Sequence, residues 1–353
     1  MIPVDATKPV VSHRVKRQPE PSLAAELSNL IEAAARPLPV DHPEGVLESI
    51  SEPRLRRQVE AELAYLRGDF KQTMGCFTAA GRDEAAKIYV APMAIAAAIS
   101  RGDYPFYSTI DAYLKGVIQT HPGTVMATYA ELSLATAAVS SIAANMAPDW
   151  LKNGNFSAIP TPLKPYTLYL QAKYFQSLGR FEPMLAVAQT VLALHPGTPG
   201  ITMVDIYLRL TCAVACHGLE RRNQAKHYLL EAMAMALPHG FISPFAESLT
   251  AFGGLLEQCL TEAFPDYYAA VIGQWQGTWR NWISFHNQFT KNNITDILTL
   301  REFHIATLVA RRVPYTKIAA ENGISVGRLK NIITEIYGKL LVSNRDELAQ
   351  YVF

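Results

Sequence analysis

Between residues 23 and 262, apolar side chains recur at intervals of three and four, Ala and Leu are frequent, and the periodic stretches break at Gly and Pro. That is the spacing of amphipathic helices, and almost nothing alternates with the period of two that a half-buried strand needs. A short turn repeats. Arg67-Gly68-Asp69-Phe70 returns 34 residues later as Arg101-Gly102-Asp103-Tyr104 and again as Leu178-Gly179-Arg180-Phe181. An Ala-rich helix precedes each turn and a second amphipathic helix follows it, which predicts stacked helical hairpins that bury each other's faces. From 263 to 294 the pattern changes. Trp275, Trp279, Trp282, His286 and Phe289 fall at steps of four, three, four and three, on one face of a single helix. We expect this to be a connector packed on its neighbours; an effector or dimer surface is the alternative, since aromatic faces also anchor interfaces.

The last segment, 295–353, predicts four short helices. Thr299 and Glu302 have the spacing of a capping box ahead of a stripe through Ile305, Leu308 and Val309. A second helix carries Ile318 and Ala319 and ends at Asn322-Gly323, and Ser325 then caps a third with Leu329, Ile332, Ile333, Ile336 and Leu340 on its apolar face. Two short helices joined by a Gly-containing turn form the helix-turn-helix arrangement, whose second helix enters the DNA major groove.

These residues also carry a resemblance. Leu298, Thr299, Arg301, Glu302, Ile318, Ala319, Ile324, Ser325, Lys330, Ile336, Lys339, Leu340 and Arg345 fit the pattern of LuxR/GerE-type DNA-binding domains at uninterrupted spacing. Against that pattern, Arg312 and Leu341 stand where the family has Gly. Pro314 and Lys317 replace its Ser-x-x-Glu, Arg328 replaces a Thr, and Ile332 replaces a His. A residue at 312 with positive φ would be strained. The 34-residue step resembles tetratricopeptide repeats. The best copy is Tyr166 to Pro196, with Ala172, Gly179, Phe181 and Pro196 in the signature positions. Tyr207 to Pro238 is similar, with Ala213, Ala225, Leu229 and Ala232 at the packing positions, while Ile95 and Tyr107 stand where small residues are preferred and a copy near 125–160 is barely legible. Residues Ala236 to Leu260 resemble the last sensor repeat of MalT-like regulators.

The fold class expected is therefore all-α: a tetratricopeptide-like array (23–262) and a connector (263–294), followed by a four-helix LuxR-type helix-turn-helix domain (295–353). The resemblance implies a bacterial transcriptional regulator whose partners are DNA and a peptide, protein or small-molecule effector at the array, acting as a homodimer on DNA. Arg328, Lys330, Asn331 and Lys339 are the leading candidates for DNA contact, with Lys317, Arg311 and Arg312 behind them, while Leu348 and Val352 of the last helix are candidates for pairing two copies. A protein-interaction scaffold with a helix-turn-helix that no longer binds DNA is the competing expectation, with Arg312, Pro314 and Ile332 as the record of lost DNA geometry.

Charge and composition change this picture little. Eight Lys/Arg against five Asp/Glu from Leu298 to Phe353 make that stretch +3 while the whole chain is +1, so the body ahead of it is slightly acidic. A basic module on a near-neutral body suits DNA binding. Residues 1–22, with four prolines, predict a flexible tail. Cys76, Cys212, Cys216 and Cys259 lack metal-ligand spacing, and with no signal peptide or membrane span in view a cytoplasmic location is expected. No His-Glu-x-x-His, nucleophile elbow or G-x-x-x-x-G-K-[ST] occurs, so neither catalytic residues nor a cofactor nor a metal is expected.

Overall fold

The structure, a computed structural model, describes residues 45–141, 143–194, 200–291 and 300–352, together with 25, 38, 42–43 and 298. The expected tail, the Thr299 cap and the terminator Pro196 lie outside these residues. Among the described residues the chain is all-α, with one isolated bridge between Leu38 and Ile201 and no strand. None of the described helices is long and apolar enough to cross a membrane.

Helices pair in hairpins along the described residues from 53 to 236. After a short α1 (Gly45–Ser49) come α2 (Pro53–Leu66) with α3 (Phe70–Ala79), and α4 (Glu84–Arg101) with α5 (Tyr104–Thr120). Next is α6 (Val125–Ser140), followed only by a short α7 (Asp149–Asn153). The pairs resume with α8 (Lys164–Ser177) and α9 (Phe181–Leu194), then α10 (Met203–Gly218) and α11 (Arg222–Ala236), after which α12 (Ser243–Ser248) and α13 (Leu255–Ala263) follow without packing on each other as a pair. The region 125–160 is hard to read because its second helix has shrunk to α7.

The repeated turn has one geometry. In each copy the glycine takes positive φ, and the next residue's N–H reaches back five positions: Asp69 to the Ala64 carbonyl at 2.8 Å, Asp103 to Ala98 at 2.9 Å and Arg180 to Phe175 at 2.9 Å. These are Schellman closures, which satisfy the last carbonyls of the first helix. Asp69 and Asp103 then cap the second helix through their side chains, accepting from the backbone of Gln72 and Phe106. The turn between α10 and α11 has the same bonds with Glu220 at φ 62° in the glycine place, so the Gly signature missed it although the backbone repeats. Ala172, Ala213, Ala225, Leu229 and Ala232 are all fully buried, as packing positions must be. Ile95 and Tyr107 are buried too and fill wider gaps in the core of the first half.

Helix α14 (Pro265–Thr290) runs back along the array. Gln274 donates to Ser243 Oγ at 2.9 Å and lies over Gly68, Asn281 donates to the Ser100 carbonyl at 3.2 Å, and Trp282 Nε1 donates to the Ser140 carbonyl at 2.9 Å. It thus touches the ends of helices from both halves. Gly102, at φ 66°, lets it approach, since a Cβ there would lie 3.1 Å from the Asn281 Cα and carbonyl oxygen.

The chain ends in a four-helix unit with its own core: α15 (Leu300–Ala310), α16 (Tyr315–Glu321), α17 (Val326–Leu340) and α18 (Arg345–Val352). Ser325 caps α17 by accepting from Arg328 N–H at 3.2 Å, and Leu329, Ile333, Ile336 and Leu340 are buried with Ile332 half-buried. Arg312 and Leu341 sit at φ 61° and 57°, in the left-handed region. Arg312 closes the α15 turn as glycine does elsewhere, with Val313 N–H reaching the Leu308 carbonyl at 3.1 Å.

Leu341 gives the cleaner test of that strain, because its side chain is 91% exposed and loses little packing when removed. Leu341→Gly is expected to stabilise the chain by roughly 0.5–1 kcal/mol, read as a rise in thermal midpoint. Arg312→Gly should gain less, since it also removes an exposed 2.8 Å ion pair with Asp346. An unchanged or lower midpoint for Leu341→Gly would mean no strain is held there.

Candidate functional site

Two features gather side chains capable of chemistry: the outer face of α17, and a chamber where the array, α14 and the C-terminal unit meet.

On α17, Gly327, Arg328, Lys330, Asn331, Thr334, Glu335 and Gly338 are exposed, opposite the buried stripe. Arg328, Lys330 and Asn331 therefore form an outward polar face on the first two turns. Lys339 leaves that set, for its Nζ donates to the buried carboxylate of Glu302 at 2.7 Å and ties α17 to α15. Arg312 pairs with Asp346, and Arg345 stacks on the Tyr315 ring at 4.7 Å. The expectation for Leu348 and Val352 has to be corrected. Both are fully buried against α15 in the unit's own core, so neither offers a surface to a second copy.

Arg311 and Lys317 turn toward the array rather than toward solvent. The Arg311 stem passes over Gly179, where an added Cβ would meet its Cβ and Cγ at 3.6 Å. Lys317 Nζ lies 3.4 Å from the His217 carbonyl and 3.7 Å from the Glu220 carboxylate. Glu321 of α16 approaches Gly253 closely enough that a Cβ there would stand 3.1 Å from its Cγ. Glu321 also comes within 3.8 Å of His217 Nε2. Burial, with Lys317 and Arg222 nearby, pushes His217 down to about 4, so this last approach is not an ion pair at neutral pH. The positive-φ turns at Gly179, Glu220 and Gly253 thus meet Arg311 after α15 and Lys317 and Glu321 of α16.

Aromatic rings of α14 form the wall between the units. Trp279 and Trp282 stack at 5.0 Å with 5° between planes, Trp282 stacks on His286 at 5.5 Å, and both Trp282 and His286 meet Phe303 of α15. His286 Nδ1 lies 2.7 Å from the Ser141 carbonyl and so carries the proton; burial depresses its pKa, leaving a neutral structural imidazole.

Behind this wall lies a cavity of ≈ 150 Å³, open to solvent on one side and lined by Trp275, Trp279, Trp282, Tyr65, Tyr169 and Tyr207. Among the described residues, three charged side chains line it: Lys173 of α8, Glu247 of α12 and Arg311 of the C-terminal unit. Glu247 accepts from Tyr65 Oη at 2.5 Å and Tyr207 Oη at 3.0 Å. It keeps an exposed surface toward the cavity, yet the protein around it raises its pKa by desolvation, against the two tyrosine bonds and Lys173. Lys173 donates to Gln176 Oε1 at 2.7 Å, and desolvation, with Arg311 adding to it, lowers it to about 8. Arg311 is lowered to about 10 by desolvation. Nothing in local sequence brings these positions together; the one signal is that Lys173 is the only charge in α8 after its first residue.

Comparison with known proteins finds no family model, no curated protein and no solved structure that matches this chain.

A second polar cluster lies further along the array, where Tyr129 stacks on Tyr89 and donates to its carbonyl at 3.2 Å, and Tyr166 bonds Thr136. Glu62 sits beside them, and burial raises it to about 7 against a backbone bond from Met203. A carboxyl raised in the folded state binds more protons than in the unfolded chain between about 4.5 and 7, so stability falls as pH rises through that window. Glu62→Gln should remove that fall and add about 1–3 kcal/mol at pH 8. Denaturant melts of both proteins from pH 5 to 8 check this; parallel curves would place the Glu62 carboxyl in a solvated site.

Proposed function

We propose that this chain is a bacterial DNA-binding transcriptional regulator. In this reading the C-terminal unit is a LuxR-type helix-turn-helix, the hairpin array is its tetratricopeptide-like input domain, and the protein acts in the cytoplasm, where the DNA is. The observation that carries the reading is the outward face of α17. Arg328, Lys330 and Asn331 stand free on a helix capped by Ser325, entered through a turn with Gly323 at φ 62° and backed by a complete core. A recognition helix needs that combination of rigid placement and polar reach to base edges and phosphates. The left-handed backbone at Arg312 and Leu341 supports it further, since those are the places where the family pattern has glycine. The turn geometry persists where its usual residue has been lost.

In the docked arrangement Arg311 and Lys317 belong to the array interface, so release of the C-terminal unit would add two cations to the DNA-facing set. Two copies on a two-fold site remain part of the reading, with a pairing surface other than Leu348 and Val352. The competing scaffold reading draws on the same contacts, with the helix-turn-helix as an internal docking module.

DNA binding by the full-length protein across a salt series separates the two, using the DNA upstream of its own coding sequence and a random fragment. The regulator reading expects preference for the upstream fragment and a steep loss of affinity with salt. In the Arg328→Ala/Lys330→Ala variant the slope of log K against log salt should shrink by about 1–2. Binding that ignores both salt and the double substitution would overturn it.

A further inference from the structure

We propose that Lys173 is a reactive amine that captures an aromatic aldehyde as an imine in the cavity between array, α14 and C-terminal unit. The aldehyde's ring would lie among the tyrosines of the array and the tryptophans of α14. This goes beyond the regulator reading and does not depend on what the C-terminal unit binds.

The hydrogen-bond partner of this amine sets it apart. Lys115, Lys226 and Lys339 each meet a carboxylate, at 2.7, 2.8 and 2.7 Å, which favours the charged ammonium. Lys173 donates instead to the Gln176 side-chain oxygen at 2.7 Å, and among the described residues no carboxylate pairs with it. An amide oxygen accepts from a neutral amine as well as from an ammonium, so it does not pin the proton. Burial in the cavity wall lowers Lys173 to about 8, although the nearby Glu247 carboxyl favours the charge. The free amine is the form that attacks a carbonyl, and desolvated lysines act as Schiff-base residues for this reason.

The step balances without an oxidant or reductant. Lys173 gives up its ammonium proton to solvent, its nitrogen bonds to the aldehyde carbon, and a carbinolamine forms. The carbonyl oxygen then leaves as water with the two amine hydrogens, and a C=N bond remains. Departure of that oxygen calls for an acid. Glu247 lines the same cavity, accepts from Tyr65 Oη and Tyr207 Oη, and is raised by desolvation, which makes its carboxyl a group able to hold and return a proton there. Shape selects the carbonyl compound. A cavity of ≈ 150 Å³ suits a single ring, and the near-parallel Trp279 and Trp282 give that ring a flat wall.

The test compares lysines within one native protein, so no variant has to fold. Full-length protein is incubated with benzaldehyde and cyanoborohydride, which reduces an imine to a stable benzylamine, and the modified lysines are identified by peptide mass spectrometry. Near neutral pH, Lys173 is expected to label at least about tenfold faster than the exposed Lys71 and Lys330. That advantage should shrink as pH rises toward about 10, where a lysine in water also loses its proton. Excess benzyl alcohol, which has the ring but cannot form an imine, should slow Lys173 and leave Lys71 unaffected. Propanal, which lacks the ring, should show little preference for Lys173, and unfolding in urea should abolish the preference. Labelling of Lys173 no faster than Lys71, an equal preference with propanal, no protection by benzyl alcohol, or a preference that survives unfolding would each overturn the assignment.

Discussion

Helix α14 is the constraint on which the rest depends, and it acts through shared side chains. Val271 is buried in the core of the later hairpins with Trp275 packed against it, while Phe285 is buried in that of the earlier ones. Trp282 packs against both the earlier core and that of the C-terminal unit. A solenoid is held only by nearest neighbours, so a helix that bonds to the ends of α4, α6 and α12 adds a long-range tie that stacking alone does not supply. The close approach at Gly102 and the indole bond to the Ser140 carbonyl fix where this tie runs.

That placement has two consequences. It positions Phe303 against the tryptophan ladder, which brings α15 and α16 onto the turns at Gly179, Glu220 and Gly253. It also puts its tryptophan rings in the wall of the cavity that Lys173, Glu247 and Arg311 line. The polar docking contacts beside that aromatic packing are few: a partly solvated Lys317 near one carboxylate and one carbonyl, and a neutral His217 near Glu321. Such contacts are individually weak.

The cysteines fit a structural role. All four are buried, and burial pushes Cys212 up to about 12, far from the thiolate that redox or metal chemistry requires.

Much of the local structure was legible in the sequence because it follows from short-range rules. Ser325, Gly323 and the stripe Leu329, Ile333, Ile336, Leu340 determine α17 and its buried side, and the Arg-Gly-Asp turns with their following caps determine the hairpins. Backbone closure at the ends of helices and a period near 3.6 involve residues only a few positions apart. What a face is buried against is not local. The sequence offered Leu348 and Val352 as a pairing surface, and only packing decided that α15 covers them instead. Arg311 and Arg312 are neighbours with the same charge, yet a left-handed turn sends one into the chamber and the other to the surface. The chamber itself joins positions from Tyr65 to Arg311, which line one cavity only once the long helix lies against the array. Short-range stereochemistry lies in the order of residues, whereas desolvated charge and shared aromatic walls arise only when distant elements meet.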